Sequence, residues 1–278
     1  MQLDFRVHDA GHHQAFRGRW PNVLAGILLG DLALGTSYGW WVRKHHAHHA
    51  PPHHTELDAA IDLPLIAFSA AQAAAKRGNA RVVTRHQAVL AVPLLTPVAY
   101  GQHVSSAHFL ITAHSAHRRQ ESVAILAPLA LYVGLPLAVL GPWSALVLIV
   151  VHRAAAGLYL GLVFAPKHKG MALMGADDGL GFVREQMLTA RNVRPHPLTD
   201  WWYGGLNYKI EHQLFPTLPR NQLRAARPLV RAFCRERGIP YRETSIVGLY
   251  REILGYLHTV GASLRATARS HDEGGPRL

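Results

Sequence analysis

Two apolar runs separated by two residues constrain this chain more than any other feature of its sequence. Residues 122–140 carry no charged side chain, and residues 143–164 are apolar apart from a His-Arg pair at 152–153. Each run is close to the roughly 20 residues that an α-helix needs to cross the hydrocarbon core of a bilayer. Only a Gly-Pro pair at 141–142 lies between them, and helices satisfy their own backbone hydrogen bonds in lipid. The sequence therefore predicts a transmembrane helical hairpin over 122–164.

The other apolar segments predict shallower helices. Residues 21–41 and 87–113 are interrupted by glycine, proline and polar side chains, which favours interfacial or re-entrant helices over full spans. Arg153 within the hairpin costs about 2.5–3.5 kcal/mol at the centre of a bilayer, so its side chain is expected to face protein or a polar cavity. The predicted fold is an all-α integral membrane protein, in which the hairpin and interfacial helices support a cytoplasmic helical cap that holds the histidines.

The charge balance points to an anionic partner. The 278 residues carry a net charge of +12, and ten arginines fall between positions 220 and 269, among apolar residues at helical spacing. A basic amphipathic helix suits an anionic membrane surface, so we expect membrane lipid and not nucleic acid, although a solvated charged face has the same pattern. The predicted division is a membrane domain over 1–241 and a basic C-terminal helical tail over 242–278. The single cysteine, Cys234, excludes an internal disulfide.

The predicted topology brings distant histidines to one side of the membrane. Only the hairpin crosses between the early histidines and those at positions 168 and 212, so both sets emerge on the same face. The basic segments at 76–85 and from 184 onward lie on that face, while the Gly-Pro turn forms the whole opposite loop. Because loops rich in lysine and arginine remain on the cytoplasmic side of a membrane, the histidine face is predicted to be cytoplasmic.

Histidine is the most unusual part of the composition, with 20 in the chain and nine in the first 54 residues. His8 and His12 are four residues apart, and His45, His48 and His49 are related by three and four, so each set shares one helix face. Converging neutral imidazoles bind metals, and iron, zinc and copper all accept them. The residue types alone therefore predict a metal site and leave the metal open.

Three polar side chains are candidates for supporting that site. Asp9 and Glu211 are sequence neighbours of His8 and His212, where a carboxylate would hold an imidazole in one tautomer. Both are equally well read as helix-end or surface acids. Asn207 either supports the site by hydrogen bonding or is an ordinary turn residue.

Four motifs carry these histidines: HDAGH at 8–12, WWVRKHHAHH at 40–49, VFAPKHKGM at 163–171 and GGLNYKIEHQLFPTLPR at 204–220. Together they resemble the histidine boxes of the membrane fatty acid desaturase family, especially its bacterial front-end-like or linoleoyl-CoA-desaturase-like branch. The resemblance runs from His8 to about Tyr241. It implies a membrane enzyme that uses two iron ions to activate O2 and to remove two hydrogens from an acyl chain. It also implies metal ligands at His8, His12, His45, His48, His49, His168 and His212.

The sequence departs from the family pattern at several positions. The third box, usually QxxHH or HxxHH, has Lys209 at its first position and Gln213 at its last. An ammonium beside two iron ions is electrostatically unfavourable. Lys167 stands where the family's fourth motif usually has asparagine. The family generally has a transmembrane hairpin before the first box, and only seven residues precede His8, so we expect either that this hairpin is missing or that the true start lies upstream.

The resemblance implies desaturation of a fatty acyl chain in lipid metabolism. Breaking an unactivated C–H bond is beyond any side-chain acid or base, so the metal would supply the chemistry. The expected partners are an acyl group on coenzyme A, a carrier protein or a lipid, and a separate ferredoxin-like or cytochrome-type electron donor, since the sequence contains no HPGG haem motif. Two alternatives stay open: acyl hydroxylation on the same scaffold, and a catalytically silent homologue that binds lipid or a partner desaturase.

Overall fold

The structure is a computed structural model that describes residues 2–50, 63–164, 168–175 and 179–266. His53, His54, Lys167 and the end of the predicted tail lie outside these ranges. The described chain is mostly helical, as expected for an all-α fold. Its α-helices are α1 (Gln2–Gly11), α2 (Arg19–Gly26), α3 (Tyr38–His49), α4 (Ala70–Ala75), α5 (Gly78–Arg85), α6 (Gln87–Leu90), α7 (Val98–Thr112), α8 (Arg118–Phe164), α9 (Phe182–Leu188), α10 (Pro197–Trp202), α11 (Lys209–Leu214), α12 (Arg220–Glu236) and α13 (Ile246–Val260).

Helix α8 turns back on itself at Gly141. This residue has φ 74° and ψ 170°, a conformation that is essentially restricted to glycine. The hydroxyl of Tyr132 lies 2.6 Å from Nδ1 of His152, although twenty residues of straight helix would separate them by about 30 Å. The two arms, residues 118–140 and 142–164, therefore run antiparallel and form the predicted hairpin.

Arg153 faces protein, as its position in an apolar helix requires. Its guanidinium donates to Nε2 of His103 and lies 4.3 Å from the centre of the Tyr132 ring. The other ring nitrogen of His103, Nδ1, is 2.7 Å from the carbonyl oxygen of Gly35. A tautomer with its proton on Nδ1 satisfies both contacts, because Nδ1 donates and Nε2 accepts.

The outer surface of the hairpin is strongly apolar. Large side chains are more than half exposed along both arms, among them Val123, Leu126, Val139, Trp143 and Val151. A contiguous apolar surface of this kind marks an interaction site. Among the described residues, α8 (Arg118–Phe164) is long and apolar enough to cross a membrane. The segments Arg19–Ala33 and Tyr38–His49 meet the same criteria of length and composition when taken together, but they are bent by 113° relative to each other.

The two segments predicted as interfacial or re-entrant are both broken. In the first, α2 continues into a π-helical turn at Ile27–Ala33, and α3 then begins at Tyr38. In the second, α6, a 3₁₀ turn at Pro93–Leu95 and α7 follow one another. Pro93 and Pro97 account for the interruptions of this second segment, because proline cannot donate a helical backbone hydrogen bond.

The open end of the hairpin packs against the histidine-bearing helices. Glu121, in the first turn of α8, accepts hydrogen bonds from the Ser37 hydroxyl at 2.5 Å and from the Gly39 amide at 3.0 Å, at the start of α3. At the end of α8, the Phe164 ring lies 5.9 Å from that of Phe5 in α1. Both chain segments that leave the hairpin therefore enter the same part of the molecule.

The described part of the predicted C-terminal helical tail contains helix α13 and packs against the rest of the protein. Strand β2 (Glu243–Thr244) pairs in parallel with β1 (Asn192–Val193), a short strand pair within the mostly helical chain. Leu249 of α13 is fully buried in one cluster with Phe5 and Val163. Helix α13 has an apolar face, and residues from distant parts of the chain bury it. The charge pattern of the segment does not reveal these contacts.

Replacing Gly141 with alanine should destabilise the hairpin by about 1–3 kcal/mol, because the added Cβ opposes a backbone conformation available mainly to glycine. Thermal unfolding in detergent measures the change. Gly134→Ala is the matched control, since Gly134 lies within a helical arm with open space around it; it should leave stability equal or slightly higher. Equal losses in the two variants would contradict the turn.

Candidate metal centre

Helix α1 places two histidines on one face. The rings of His8 and His12, one turn apart, have centroids separated by 4.6 Å. Gly11 lies where α1 meets α3, and a Cβ there would be 2.2 Å from the ring of Trp41. The Trp41 ring in turn stacks on His45 at 4.4 Å. Glycine at position 11 therefore allows the first two histidine motifs to approach each other.

Helix α3 contributes two more imidazoles to the same place. His45 and His49 are one turn apart, and their Nε2 atoms lie 3.1 Å from each other. The helix begins after Ser37, whose hydroxyl accepts a hydrogen bond from the Trp40 amide at 3.0 Å, a usual N-terminal cap. The cap and the Glu121 contacts together fix the direction in which α3 presents its histidines.

Helix α11 brings His212 from the far end of the sequence. It spans only six residues, and those from Lys209 to Gln213 are all buried. Glu211 anchors it, since the carboxylate accepts from the Asn192 amide at 2.7 Å and from the Tyr241 hydroxyl at 2.8 Å. Oδ1 of Asn192 also accepts from the Ile210 amide. Contacts with β1 and with the chain before β2 therefore hold a helix too short to be stable alone.

Five imidazoles from these three helices form one compact group, which we call the five-histidine cluster. Neighbouring ring centroids within it lie 4.6–4.9 Å apart. In four of the residues, the potential ligand atoms all lie within 4.8 Å of one another. The members of the cluster are His8, His12, His45, His49 and His212.

The ring nitrogens of the cluster fit a metal ion. Buried nitrogens of His8, His12, His49 and His212 have no hydrogen-bond partner among the described residues, and such unsatisfied groups are costly unless a ligand engages them. Burial and neighbouring imidazoles hold the pKa of His8 and of His212 well below the usual value, and burial lowers the pKa of His12 to about 3. These rings are therefore neutral at physiological pH, the form that binds metals.

The remaining two predicted ligands form a second group, the outer pair. The rings of His48 and His168 lie 4.8 Å apart, while His48 is 6.4 Å from His45 and 6.1 Å from His49. Nδ1 of His168 lies 2.8 Å from the carbonyl oxygen of Thr189, which places the proton on Nδ1 and leaves Nε2 as the metal-binding atom. All seven predicted histidines thus lie in two adjacent groups.

The predicted supporting residues have other partners. Both carboxylate oxygens of Asp9 accept from the Arg220 guanidinium, and Asp9 Oδ1 is 4.0 Å from His8 Nδ1, beyond hydrogen-bond range. The Asn207 amide donates to Asp200 at 2.8 Å. Among the described residues, the hydrogen bonds of Asp9, Asn207 and Glu211 thus go to groups other than the imidazoles and hold the surrounding segments in place.

The two altered positions of the third motif lie close to the histidines. Lys209 is 7% exposed, and its positive charge contributes to the lowered pKa values of His8, His12 and His212. The Gln213 amide donates to Oε1 of Gln186 at 2.9 Å, and Gln186 also reaches the carbonyl oxygen of His49 at 3.4 Å. A cation and an amide thus lie beside the five-histidine cluster.

A cavity of about 980 Å³ opens beside both groups. One part of its wall is formed by His8, His45, His48, His168 and His212. Much of the remainder is apolar and comes from α1, the segment before α3, the 3₁₀ turn, α7 and α8, with the side chains Val7, Leu34, Leu95, Val98, Phe109 and Leu160. The arrangement places potential metal ligands at the side of an apolar space.

Several contributors to this site are not identified by sequence reasoning. Trp41 stacks on His45, and its spacing of four residues on one helix was an available signal. Thr189 and Gln186 come from α9 and the turn after it, distant in sequence from the histidine motifs, and no local pattern marks them. Arg220 stands at the end of the fourth motif, but its pairing with Asp9 joins residues 211 positions apart.

Comparison of the sequence with known proteins places this chain in a family. Residues 2–245 match the sequence model described as Fatty acid desaturase. An acyl-lipid (9-3)-desaturase of Physcomitrium patens is 33% identical over 280 residues, which cover 98% of this chain and 52% of that protein. A Delta(5) fatty acid desaturase of Caenorhabditis elegans is 29% identical over 282 residues, covering 97% of this chain and 63% of the relative. The chain spans between about half and two thirds of the length of these relatives.

Replacing His12 with alanine should weaken metal binding by about a hundredfold or more, since loss even of a group that only supports a ligand costs about 10–100-fold. Metal content after equilibrium dialysis at fixed free metal measures the effect. His13→Asn is the matched control: His13 is the next residue, is exposed and has φ 55°, which asparagine tolerates. Unchanged metal binding in His12→Ala would contradict the cluster as a metal site.

Proposed function

Because the chain belongs to the fatty acid desaturase family, we propose that it catalyses the O2-dependent desaturation of a fatty acyl chain, with iron held by its seven predicted histidines. In the balanced reaction the acyl chain loses two hydrogens and gains a double bond. O2 takes up those hydrogens, two electrons from a donor and two protons, and leaves as two waters.

The observation that carries this proposal is the cavity shared by imidazoles and apolar side chains. A substrate pocket is generally concave, largely apolar, and furnished with a few polar groups at the reacting position. Here five of the predicted ligands line one part of the wall, and Leu95, Val98 and Leu160 line another. An acyl chain along the apolar wall would pass beside the histidines.

Bound iron would supply the oxidising power that side chains lack. The chain's own residues would hold the metal and surround the acyl chain. Neutral imidazoles accept the metal, and the Thr189 carbonyl holds the His168 ring in the tautomer that leaves Nε2 for binding. The apolar walls exclude water from the acyl chain, and in such surroundings fixed dipoles and charges act more strongly than in water.

The head group of the substrate is proposed to lie at the cationic part of the cavity. Arg43 and Lys44 line it and are exposed, and Lys169 lines it next to His168. Acyl-CoA, acyl-carrier protein and phospholipid all carry phosphate on the carrier group to which the acyl chain is attached, so the cations suit each of these carriers. Activity assays with each of the three acyl carriers identify the one that the protein uses.

We propose that the hairpin anchors the protein in the membrane. Both arms expose large apolar side chains, and their open end packs against α1 and α3, so the histidines lie at the end opposite Gly141. The short Gly-Pro turn and the basic residues near the open end support a histidine site on the cytoplasmic side, by the positive-inside rule. There a separate ferredoxin-like or cytochrome-type donor would reach it.

Product analysis tests the proposal. Full-length protein in lipid nanodiscs is loaded with Fe(II), supplied with a donor system and an acyl substrate, and its products are analysed by gas chromatography and mass spectrometry. Desaturation yields a product lighter by two hydrogens, whereas hydroxylation adds one oxygen. Substrate binding without any oxidised product, at full metal loading, would favour the catalytically silent alternative.

Replacing Val98 with tryptophan should lower product formation by about tenfold to a hundredfold, because a bulky ring on the cavity wall displaces the acyl chain from the histidines. Iron content should stay unchanged, since an apolar side chain is not a metal ligand. Val92→Trp is the matched control, a nearby valine that is exposed and does not line the cavity. Full activity in Val98→Trp would contradict the proposed path of the acyl chain.

A further inference from the structure

Two buried carboxyl groups meet at the start of helix α3. Asp31, in the π-helical turn Ile27–Ala33, is 0% exposed, and Glu121, in the first turn of α8, is 1% exposed. Oδ2 of Asp31 accepts a hydrogen bond from the Tyr38 amide at 3.2 Å. Oε2 of Glu121 accepts from the next amide, that of Gly39, at 3.0 Å. The two acids therefore bind consecutive residues of the helix that carries the second histidine motif.

Side chains satisfy the first amide groups of α3. The Ser37 amide donates to the Ser106 hydroxyl at 3.1 Å, and the Trp40 amide donates to the Ser37 hydroxyl at 3.0 Å. The two carboxyls accept from the amides in between. The first amides of any helix have no partner within it, and the positive end of the helix dipole stabilises a negative charge. This position therefore accommodates one carboxylate well.

A second negative charge in the same place is unfavourable. Asp31 and Glu121 are close enough to interact electrostatically and, once one of them is protonated, by a hydrogen bond. Two carboxyls that share a buried site do not both ionise, and among the described residues neither forms a salt bridge with lysine or arginine. Oδ1 of Asp31 is buried and has no donor to accept from among these residues. A proton on this oxygen removes the repulsion and turns an unsatisfied acceptor into a donor.

We propose that Asp31 and Glu121 share one proton, which Asp31 holds and donates to Glu121, and that this acid pair positions the histidines of α3. Glu121 keeps its charge and accepts from the Ser37 hydroxyl and the Gly39 amide. The pair thus joins the π-helical turn, the hairpin and α3 at one point. Asp31 is a positioning residue, because it acts on the metal site through Glu121 and the backbone of α3.

The position of this acid pair explains how it acts at a distance. His45 lies seven residues beyond Tyr38, about 10 Å along the helix. A helix moves as a rigid rod over this length, so the orientation fixed at its start determines where the imidazoles of His45 and His49 lie. The inference concerns the metal site and not acyl chemistry, so it does not depend on the proposed function.

Infrared spectroscopy tests for the shared proton. The carbonyl stretch of a protonated carboxyl absorbs apart from that of a carboxylate and shifts in D2O. Purified full-length protein is measured at neutral pH in a detergent without ester or carboxyl groups. The difference spectrum between the unaltered protein and Asp31→Asn should contain this band. Glu236→Gln is the matched control, since Glu236 is exposed, and this substitution should leave the band in place.

A second variant tests the pairing. In Glu121→Gln the acceptor of the proton changes from a carboxylate to a neutral amide, which accepts a weaker hydrogen bond. The band of Asp31 should therefore be displaced or lost, although Asp31 itself is unaltered. An unchanged band in Glu121→Gln would overturn the pairing. A difference spectrum of Asp31→Asn without a carboxyl band would overturn the proton, and metal analysis of the same sample would show whether a bound cation takes its place.

Metal affinity tests the positioning role. The asparagine of Asp31→Asn is neutral, and its amide can donate to Glu121 while its oxygen accepts from the Tyr38 amide. This variant should therefore bind Co(II), measured by visible absorption and equilibrium dialysis, as tightly as the unaltered protein. Asp31→Leu has nearly the same shape but neither polar group, and it should bind Co(II) about tenfold more weakly, as expected on loss of a group that supports metal ligands. Equal affinity in Asp31→Leu would overturn the positioning role.

Circular dichroism checks the folding of each variant. If Asp31→Leu does not fold, Ser115→Ala takes its place, because it removes one hydrogen bond to Oε1 of Glu121, of 3.2 Å. It should weaken Co(II) binding about twofold to tenfold, and unchanged affinity would overturn the positioning role. These readouts do not involve acyl chemistry. A protein that shows the shared proton and forms no product contradicts the proposed function alone, and one that forms product without the carboxyl band contradicts this inference alone.

Discussion

The structure depends on gathering five neutral imidazoles at the meeting point of three short helices. Buried nitrogens without partners cost about 1–3 kcal/mol each, so the surrounding contacts must stabilise an arrangement that is unfavourable without metal. The Asp9–Arg220 pair joins α1 to the start of α12, while Glu211 joins α11 to Asn192 and Tyr241. These ionic and hydrogen-bonded contacts lie just outside the ring of histidines. They explain why a short, polar and buried helix such as α11 holds its position.

The hairpin supplies the base on which this arrangement is built. Glu121 and Phe164, at the two sides of its open end, contact the start of α3 and the body of α1. The cavity lies between the hairpin, α7 and the histidines, so its walls combine apolar side chains with imidazoles. The charge of Arg153 is stabilised within the protein by a hydrogen bond to His103 and a cation–π contact with Tyr132. The same helix thus presents an apolar outer surface and a polar contact on its inner side.

Local patterns were sufficient for the elements whose causes are local. The Gly-Pro pair between two apolar runs predicted the turn at Gly141, and spacings of three and four predicted which histidines share a helix face. Residues whose partners lie far away in the sequence were harder to assign. Asp9, Glu211 and Asn207 were expected to support the imidazoles, yet they bond to Arg220, Asn192 and Asp200. The predicted tail was likewise set apart by its charge, whereas Leu249 joins the core through contacts with α1 and α8.

The sequence by itself determined the helical hairpin, the positions of the histidines on their helices and the family to which the chain belongs, because periodicity, length and motif spacing are properties of contiguous residues. Only the tertiary structure decided how the seven histidines divide, five in one cluster and two in the outer pair. It also decided that Lys209 is buried against them and that Gln213 is held by Gln186. The reason is that distance and burial between segments from about 30 to about 200 residues apart depend on how the helices pack, which no local pattern encodes.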